Sequence, residues 1–327
     1  MEQKVNLRMM FAATLVAASV LLAGCGDKKP EATAAAEPGQ SAAEQLQIEK
    51  YNLYVEVANS LTTSFSEAQE NYLTGQMPLL EGKEAPTSMR IENDIWVDRS
   101  AKNLDTALAI DTPIVEIDAA AKDFSAALKT LSPLSHELNN YADSKGYLAD
   151  NGDKARALSK DYLAALTLVA QKEQAFYKGL GDRDQALTKE AFEKAPKDSA
   201  EYYRAGMIYY GKVNSSDASE LFATPNDAKA LEAFEKSLAQ VAETADGWNK
   251  KITEQSSKSG KSCSGGMLEI NDFIGQSRSL IKDVKDGKYQ GEETQMARMT
   301  HSTIRDAAMR YNSKYSKVID RFNYPLC

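Results

Sequence analysis

Histidine and cysteine are scarce in this chain of 327 residues, which contains two histidines and three cysteines. No His-x-x-x-His, Cys-x-x-Cys or Glu-x-x-His pair occurs, so the spacings typical of zinc and di-iron sites are missing. The chain also has no Gly-x-Ser-x-Gly nucleophile elbow and no Walker A sequence. We therefore predict no catalytic residues, no metal ligands and no cofactor, and a protein that is not an enzyme.

Proline and glycine are also few, at nine and eighteen residues, and no useful length of sequence alternates between apolar and polar residues. The missing alternation argues against half-buried strands. Alanine, leucine, glutamate and lysine are abundant instead, and these residues favour helix. The composition therefore indicates an α-helical protein.

Apolar residues recur at steps of three and four along most of the chain. Residues 114–131 and 231–252 show the clearest series, with apolar side chains spaced 3, 4, 3, 4, 3. Heptad-like spacing favours long helices that cross at shallow angles, and short connections favour antiparallel neighbours. The predicted fold is all-α, an elongated up-and-down bundle of long antiparallel helices.

Several residues predict where helices begin or break. The Thr-Pro pairs at 112–113 and 224–225 indicate helix starts, with proline at the first helical position. Asp198, with Glu201 three residues later, resembles a capping box. Pro133 is expected to kink or interrupt its helix.

The first residues have the three-part layout of an export signal. Lys4 and Arg8 are followed by an uncharged run of apolar or small residues, 9–22, and then by Leu-Ala-Gly-Cys, which ends at Cys25. That ending resembles the lipobox of bacterial lipoproteins, and the resemblance implies cleavage before Cys25 and acylation of this cysteine. An uncleaved membrane anchor is the alternative, but the run is shorter than the roughly 20 residues that a spanning helix needs.

This layout divides the chain into a signal peptide (1–24), a lipidated cysteine with a flexible tether (25–41) and a helical domain (42–327), with a further seam near Pro196. The tether is predicted because it has no large apolar residue. Two acyl chains suffice for stable attachment to a membrane. An aspartate directly after the lipidated cysteine favours retention in the inner membrane, and this chain has Gly26 at that position. We therefore expect the protein on the periplasmic side of a membrane, with the inner leaflet of the outer membrane favoured.

The formal net charge of the whole chain is −8. Removal of the signal takes away Lys4, Arg8 and Glu2, a net +1, so the mature charge is −9. An acidic surface argues against nucleic acid and anionic lipid as binding partners.

Cys263 and Cys327 remain once Cys25 carries the lipid. An even pair in an oxidising compartment predicts a disulfide, for which the chain-entropy model gives about 4 kcal/mol of stabilisation. A hairpin of the last two helices would return Cys327 to the end where Cys263 lies. Two free thiols are the alternative.

The two histidines, His136 and His301, have a functional and a structural interpretation. The functional one makes them iron or haem ligands, as in the imelysin-like periplasmic proteins. The Gly-x-His-x-x-Glu pattern of those proteins is absent here, and the structural interpretation places both residues at surface or hydrogen-bonded positions.

Four tyrosines form the most suggestive surface feature. Tyr202 and Tyr209 are seven residues apart and share a helix face, and Tyr203 and Tyr210 do the same. The cluster predicts an aromatic binding surface, because tyrosine suits positions that are part apolar and part wet. Core packing with the hydroxyls directed outward is the alternative.

Three stretches resemble the YiiG-like group of bacterial lipoproteins, a family defined by an uncharacterised domain. They are residues 51–54 with Asn59, residues 131–134 and 141–147 with Asp150, and residues 311–315 and 318–323. The resemblance implies an all-helical lipoprotein of unknown function and carries no catalytic residues.

The sequence therefore predicts two alternative functions. The first is a membrane-anchored envelope lipoprotein that is not an enzyme and that binds or scaffolds an envelope protein or another envelope component. The second is a periplasmic module that binds a small ligand or a metal, in the manner of the imelysin-like proteins.

Overall fold

The computed structural model describes residues 42–61, 63–82, 86–260, 265–291 and 294–323. Within these ranges the regular structure is helical and contains no strand, which confirms the predicted all-α fold. A π-helical turn (Tyr72–Gln76) and a short 3₁₀-helix (Gly146–Leu148) accompany the α-helices. The α-helices are α1 (Ala42–Ser60), α2 (Phe65–Asn71), α3 (Met77–Glu81), α4 (Asp94–Leu108), α5 (Val115–Asp143), α6 (Asp153–Lys194), α7 (Ala200–Ala223), α8 (Ala228–Ser259), α9 (Met267–Lys285), α10 (Gln295–Met299) and α11 (Ile304–Phe322).

The described residues form two compact units, an N-terminal unit of residues 42–183 and a C-terminal unit of residues 184–323. The boundary falls inside α6, upstream of Pro196. Across the described ranges, no helix combines the length and the apolar character needed to cross a membrane. The apolar run 9–22 lies outside these ranges.

In the N-terminal unit, α4 and α5 pack antiparallel. The Asp105 carboxylate accepts a hydrogen bond from Ser125 Oγ at 2.7 Å, and the Asp94 carboxylate accepts one from Ser135 Oγ at 2.7 Å. As the residue number falls along α4 it rises along α5, which is the register of antiparallel helices. Helix α6 then approaches α5 closely at Gly179, where an added Cβ would lie 2.5 Å from the Glu116 carbonyl oxygen.

Aromatic rings from α1, α2, α5 and α6 meet in the core of this unit. Phe176 of α6 lies 5.8 Å from Tyr54 of α1 and 5.6 Å from Phe124 of α5, measured between ring centroids. Phe65 of α2 makes an edge contact with Phe124 at 6.1 Å. The apolar side chains spaced three and four residues apart face this core. Their aromatic pairs stabilise it, since buried aromatic pairs add packing energy beyond their buried area.

A lysine is buried in this unit beside the start of α5. Lys50 is 3% exposed, and its ammonium group donates to the Thr112 carbonyl oxygen at 2.9 Å and to the Asp118 carboxylate at 2.8 Å. The same carboxylate accepts hydrogen bonds from Tyr54 Oη at 2.8 Å and from the Ile114 backbone N–H at 3.0 Å. The Lys50 charge is therefore fully paired, as burial requires.

A glutamate is buried at the start of α2. Glu173 of α6 is 1% exposed, and its two carboxylate oxygens accept the backbone N–H groups of Phe65 and Ser66, each at 3.1 Å. These N–H groups belong to the first turn of α2, where no carbonyl of the same helix can accept them. Glu173 thereby fixes α2 to α6.

The C-terminal unit contains a bundle of four helices, in which α7 contacts α8, α8 contacts α9, α9 contacts α11 and α11 contacts α7. Tyr311 of α11 lies at its centre, with the rings of Phe222, Phe234 and Phe273 between 5.2 and 5.8 Å away. Asn214 of α7 is fully buried and accepts a hydrogen bond from Tyr311 Oη at 2.9 Å. Short connections join α7 to α8 and α8 to α9, as the prediction of an up-and-down bundle required, whereas residues 286–303, which contain α10, join α9 to α11.

Each unit contains one of the two tryptophans. Trp248 of α8 is buried in the C-terminal unit and donates from Nε1 to the Gly265 carbonyl oxygen at 2.8 Å. Trp96 of α4 is half-buried in the N-terminal unit, with the Arg99 guanidinium 5.0 Å from its ring centroid.

Three predicted helix starts are displaced in the structure. Helix α5 begins at Val115 and α8 at Ala228, so neither Thr-Pro pair supplies the first helical residue. Helix α7 is capped by Ser199, whose Oγ accepts the Tyr202 N–H at 2.9 Å, and not by Asp198. Asp198 has a positive φ of 60° instead. The side chain that caps α8 is Asp227, and Ile114, the residue before α5, provides no capping side chain.

Pro133 lies inside α5, which runs without interruption from Val115 to Asp143. Of the predicted kink or interruption, the interruption is therefore wrong, and the kink stays a prediction. The packing of Leu131 and Leu138 in the core keeps both halves of the helix in place on either side of the proline, because tertiary burial outweighs the local preference.

Candidate functional site

A cleft of about 410 Å³ opens on the C-terminal unit between the end of α6, α7 and α8. Aromatic side chains Phe192, Tyr209 and Tyr210 form one part of its lining. The remaining lining residues are Lys189, Glu193, Val213, Asp217, Ala233, Lys236, Ser237 and Gln240. A volume of this size is in the usual range for sites that hold a small molecule or an inserted side chain.

The aromatic part of the cleft is built around Phe192, which is buried near the end of α6. Its ring stacks on Tyr209 with centroids 5.9 Å apart and planes 17° apart, and it meets Tyr210 edge-on at 5.3 Å. Tyr209 and Tyr210 are half-buried, so each presents part of its ring to the cleft. Burial raises the pKa of the Tyr210 hydroxyl, which therefore stays protonated at neutral pH.

The structure brings together only part of the predicted tyrosine surface. Tyr202 stacks on the same Phe192 ring at 4.7 Å, with the Lys197 ammonium 4.5 Å from its own ring centroid. Tyr203 instead packs against α8, where a Cβ at Gly247 would lie 2.1 Å from the Tyr203 ring. Neither Tyr202 nor Tyr203 lines the cleft.

Tyr203 is held by an ionic group outside the cleft. Its hydroxyl donates to Asp198 at 2.9 Å, and Lys251 lies 2.8 Å from the same carboxylate. Lys251, followed by Tyr203, holds the pKa of Asp198 below its ordinary value. Tyr203 thus connects α7 to α8.

The rim of the cleft has charges of both signs. Lys189 and Glu193 form an ion pair at 3.8 Å on one exposed turn of α6. Asp217 of α7 and Lys236 of α8 also line the cleft, and within the described part of the chain neither of them forms an ion pair. The cleft therefore offers an aromatic wall, a carboxylate and an ammonium group to an occupant.

The base of the cleft is connected to the core. Ser237 Oγ is buried and accepts a hydrogen bond from Asn214 Nδ2 at 3.0 Å. Asn214 also donates to the Phe234 carbonyl oxygen at 3.2 Å and accepts from Tyr311. A continuous hydrogen-bonded series thus extends from the cleft to the centre of the bundle.

Sequence reasoning missed Phe192, Lys189 and Lys236. Phe192 and Lys189 lie near the end of α6, which continues to Lys194 and is outside the two apolar series, 114–131 and 231–252, on which the helix prediction rests. Phe192 follows Thr188 and precedes Ala195, which are both buried, so an extension of the same spacing would have found it.

His136 joins α4 to α5 through both ring nitrogens. Nδ1 lies 2.9 Å from the Asp94 carboxylate and Nε2 lies 2.8 Å from the Asp98 carboxylate. Hydrogen bonds to Asp98 and then to Asp94 raise the pKa of His136 above its ordinary value. Both nitrogens are thereby occupied, so this histidine has no lone pair to offer to a metal ion.

We expect His136 to make stability depend on pH above the ordinary pKa of histidine. Because the folded pKa is raised, the stabilisation is complete below the ordinary value of 6.5 and is lost as the pH rises through the folded pKa. The His136→Gln variant should therefore have a lower thermal midpoint than the unmodified chain at pH 6, and this difference should shrink by pH 9. A difference of equal size at both pH values would contradict the prediction.

The predicted lipidation and disulfide residues, Cys25, Cys263 and Cys327, all lie outside the described residues. His301 is described and is strongly exposed, with Nδ1 3.4 Å from the Asp306 carboxylate. Within the described ranges, no group of three histidine, cysteine, aspartate or glutamate side chains is arranged to hold a metal ion.

Comparison with known proteins gives one match. The model of the family described as "Protein of unknown function (DUF3829)" matches residues 45–324, which is most of the chain. No curated protein and no solved structure matches. The resemblance to a family with an uncharacterised domain is confirmed at that level, and the chain belongs to the DUF3829 family of proteins of unknown function.

Proposed function

We propose that this chain is a YiiG-like lipoprotein of the bacterial envelope that acts by binding a partner protein and not by catalysis. Cys25, at the end of the lipobox-like sequence, attaches it to the periplasmic side of a membrane, with the inner leaflet of the outer membrane favoured. The helical units then face the periplasm. The observation that carries the binding role is the cleft formed by Phe192, Tyr209 and Tyr210.

The lining of the cleft favours a side chain inserted by another protein. Rigid aromatic side chains give a large contact area with little loss of conformational entropy, and they are enriched at the centres of protein interfaces. Asp217 and Lys236 bring a negative and a positive charge to the cleft, which suits a peptide segment with charged groups of both signs. The occupant we propose is therefore an aromatic or long aliphatic side chain with charged neighbours.

Site-specific photo-crosslinking in living bacteria tests this proposal. A benzoylphenylalanine at Lys236, on the cleft rim, should crosslink one reproducible envelope protein, whereas the same group at the exposed Asp320 of α11 should not. Tyr209→Ala, added to the Lys236 crosslinking chain, should reduce the yield about tenfold, as truncation of a central aromatic contact does.

The anchor is tested in the same cells. Cys25→Ser should release the chain from the membrane fraction and abolish labelling by a palmitate analogue, whereas Cys263→Ser should leave both unchanged. Equal crosslinking at Lys236 and Asp320, or insensitivity to Tyr209→Ala, would overturn the binding role. Continued labelling of the Cys25→Ser chain would overturn the lipid attachment.

A small periplasmic ligand is the second candidate, favoured by the volume of about 410 Å³. This size matches small-molecule sites, which range from roughly 300 to 1,000 Å³. A thermal-shift screen would then find a ligand that raises the midpoint of the unmodified chain but not that of Tyr209→Ala. A screen without such a ligand would leave the protein partner as the only supported occupant.

A further inference from the structure

The short helix α10 ends in an unusual turn at His301. The His301 N–H donates to the Arg298 carbonyl oxygen at 3.3 Å, and the Ser302 N–H donates to the Ala297 carbonyl oxygen at 2.9 Å. These two bonds define a Schellman motif, and His301 occupies its left-handed position with a φ of 50°. Glycine is the usual residue there, because a side chain is disfavoured at positive φ.

The ring of His301 is oriented from one side. Its Nδ1 lies 3.4 Å from the Asp306 carboxylate, and that carboxylate is held in turn by Thr303 Oγ1 at 2.6 Å and the Thr303 N–H at 3.1 Å. Asp306 is buried, whereas the His301 side chain is 81% exposed. A carboxylate that accepts Nδ1–H leaves the Nε2 lone pair available, which is the arrangement of metal-ligating histidines.

Two thioethers precede this histidine. Met296 and Met299 of α10 are 68% and 71% exposed, so neither packs into the core. Side chains three residues apart on a helix are neighbours on one face. The Ser302 N–H donates to the Ala297 carbonyl oxygen, so the chain reverses in one compact turn directly after α10, and His301 lies two residues from Met299.

We propose that the α10 turn binds Cu(I) through His301 Nε2 and the sulfur atoms of Met296 and Met299. Thioethers are soft ligands that select Cu(I) over Zn²⁺, Mg²⁺ and Ca²⁺, and imidazole is compatible with them. Binding is coordination of the ion by three neutral ligands and requires no electron transfer. This function goes beyond the proposed partner binding and uses none of the residues that line the cleft.

The test is a competition titration of the full chain with Cu(I) and bicinchoninate under anaerobic conditions, after alkylation with iodoacetamide to block free thiols. We expect one equivalent of Cu(I) to bind, and Ag(I), a redox-inert substitute, to compete for the same site. The double variant Met296→Leu with Met299→Leu should lose at least tenfold in affinity. Zn²⁺ should not compete.

The His301→Gly variant tests whether His301 is a Cu(I) ligand or only a residue that shapes the turn. Glycine suits the left-handed position, so this variant should keep or raise the thermal midpoint and still lose at least tenfold in Cu(I) affinity. Met309→Leu on α11 is the matched control, since Met309 is another exposed thioether outside the turn, and its affinity should be unchanged. Less than a twofold loss in His301→Gly, or an equal loss in Met309→Leu, would overturn the proposed site.

Discussion

Replacing Glu173 with alanine is expected to lower the free energy of unfolding of the N-terminal unit by about 3–5 kcal/mol. The variant removes the carboxylate that accepts the Phe65 and Ser66 N–H groups. The Phe65 N–H is buried, so no water replaces the lost acceptor. The first turn of α2 then loses both of its backbone hydrogen bonds to α6, and a cavity remains at a position that is 1% exposed in the unmodified chain.

Urea denaturation followed by circular dichroism measures this effect. Glu173→Gln keeps the shape and one acceptor oxygen, so its loss should be intermediate. Asp182→Ala is the matched control on the same helix and in the same unit, because Asp182 is exposed and pairs with Lys178 one turn away. Exposed pairs of this kind contribute about 0.5 kcal/mol or less. Similar losses for Glu173→Ala and Asp182→Ala would show that the buried carboxylate has no special role.

Replacing Asn214 with alanine should cost the C-terminal unit about 2–4 kcal/mol. The change leaves Tyr311 Oη without its acceptor and the Phe234 carbonyl oxygen without one donor, both in the dry centre of the bundle. It also opens a space beneath Ser237 at the base of the cleft. Asn249→Ala, at an exposed position of α8, should change stability by about 0.5 kcal/mol or less.

A double-mutant cycle isolates the hydrogen bond in this network. Tyr311→Phe alone should cost about 1–2 kcal/mol, because the Asn214 amide oxygen loses its donor. The double variant should cost less than the sum of the two single losses, with a coupling of about 1 kcal/mol. Additive losses would mean that Tyr311 and Asn214 stabilise the bundle independently.

The helical fold could be predicted because the same signal repeats over many residues. Steps of three and four between apolar residues persist through α5 and α8, and both helices bury those residues. Helix boundaries were less predictable, since they depend on single side chains. Asp198 and Ser199 are both good capping residues, and only the backbone conformation at Asp198 decides that Ser199 caps α7.

The cleft could be predicted in part. Tyr209 and Tyr210 were identified from composition and spacing, but spacing on one helix does not reveal which ring faces a neighbouring helix. Tyr203 is turned toward α8 by Asp198 and by the absence of a side chain at Gly247, which is distant in sequence. Contacts of this kind require the tertiary arrangement. The same holds for the buried charges of Lys50 and Glu173, since Asp118 and the Phe65 N–H, which pair with them, lie more than sixty residues away.

The distribution of tryptophan gives the molecule two separate optical reporters. Trp248 is buried and hydrogen-bonded, so its fluorescence should lie at shorter wavelength than that of the half-buried Trp96. Trp96→Phe leaves emission only from the C-terminal unit, and Trp248→Phe leaves emission only from the N-terminal unit. The unfolding of each unit can thus be followed by the emission of its own tryptophan in the full chain. The losses of unfolding free energy caused by Glu173→Ala and Asn214→Ala can then be assigned to separate units.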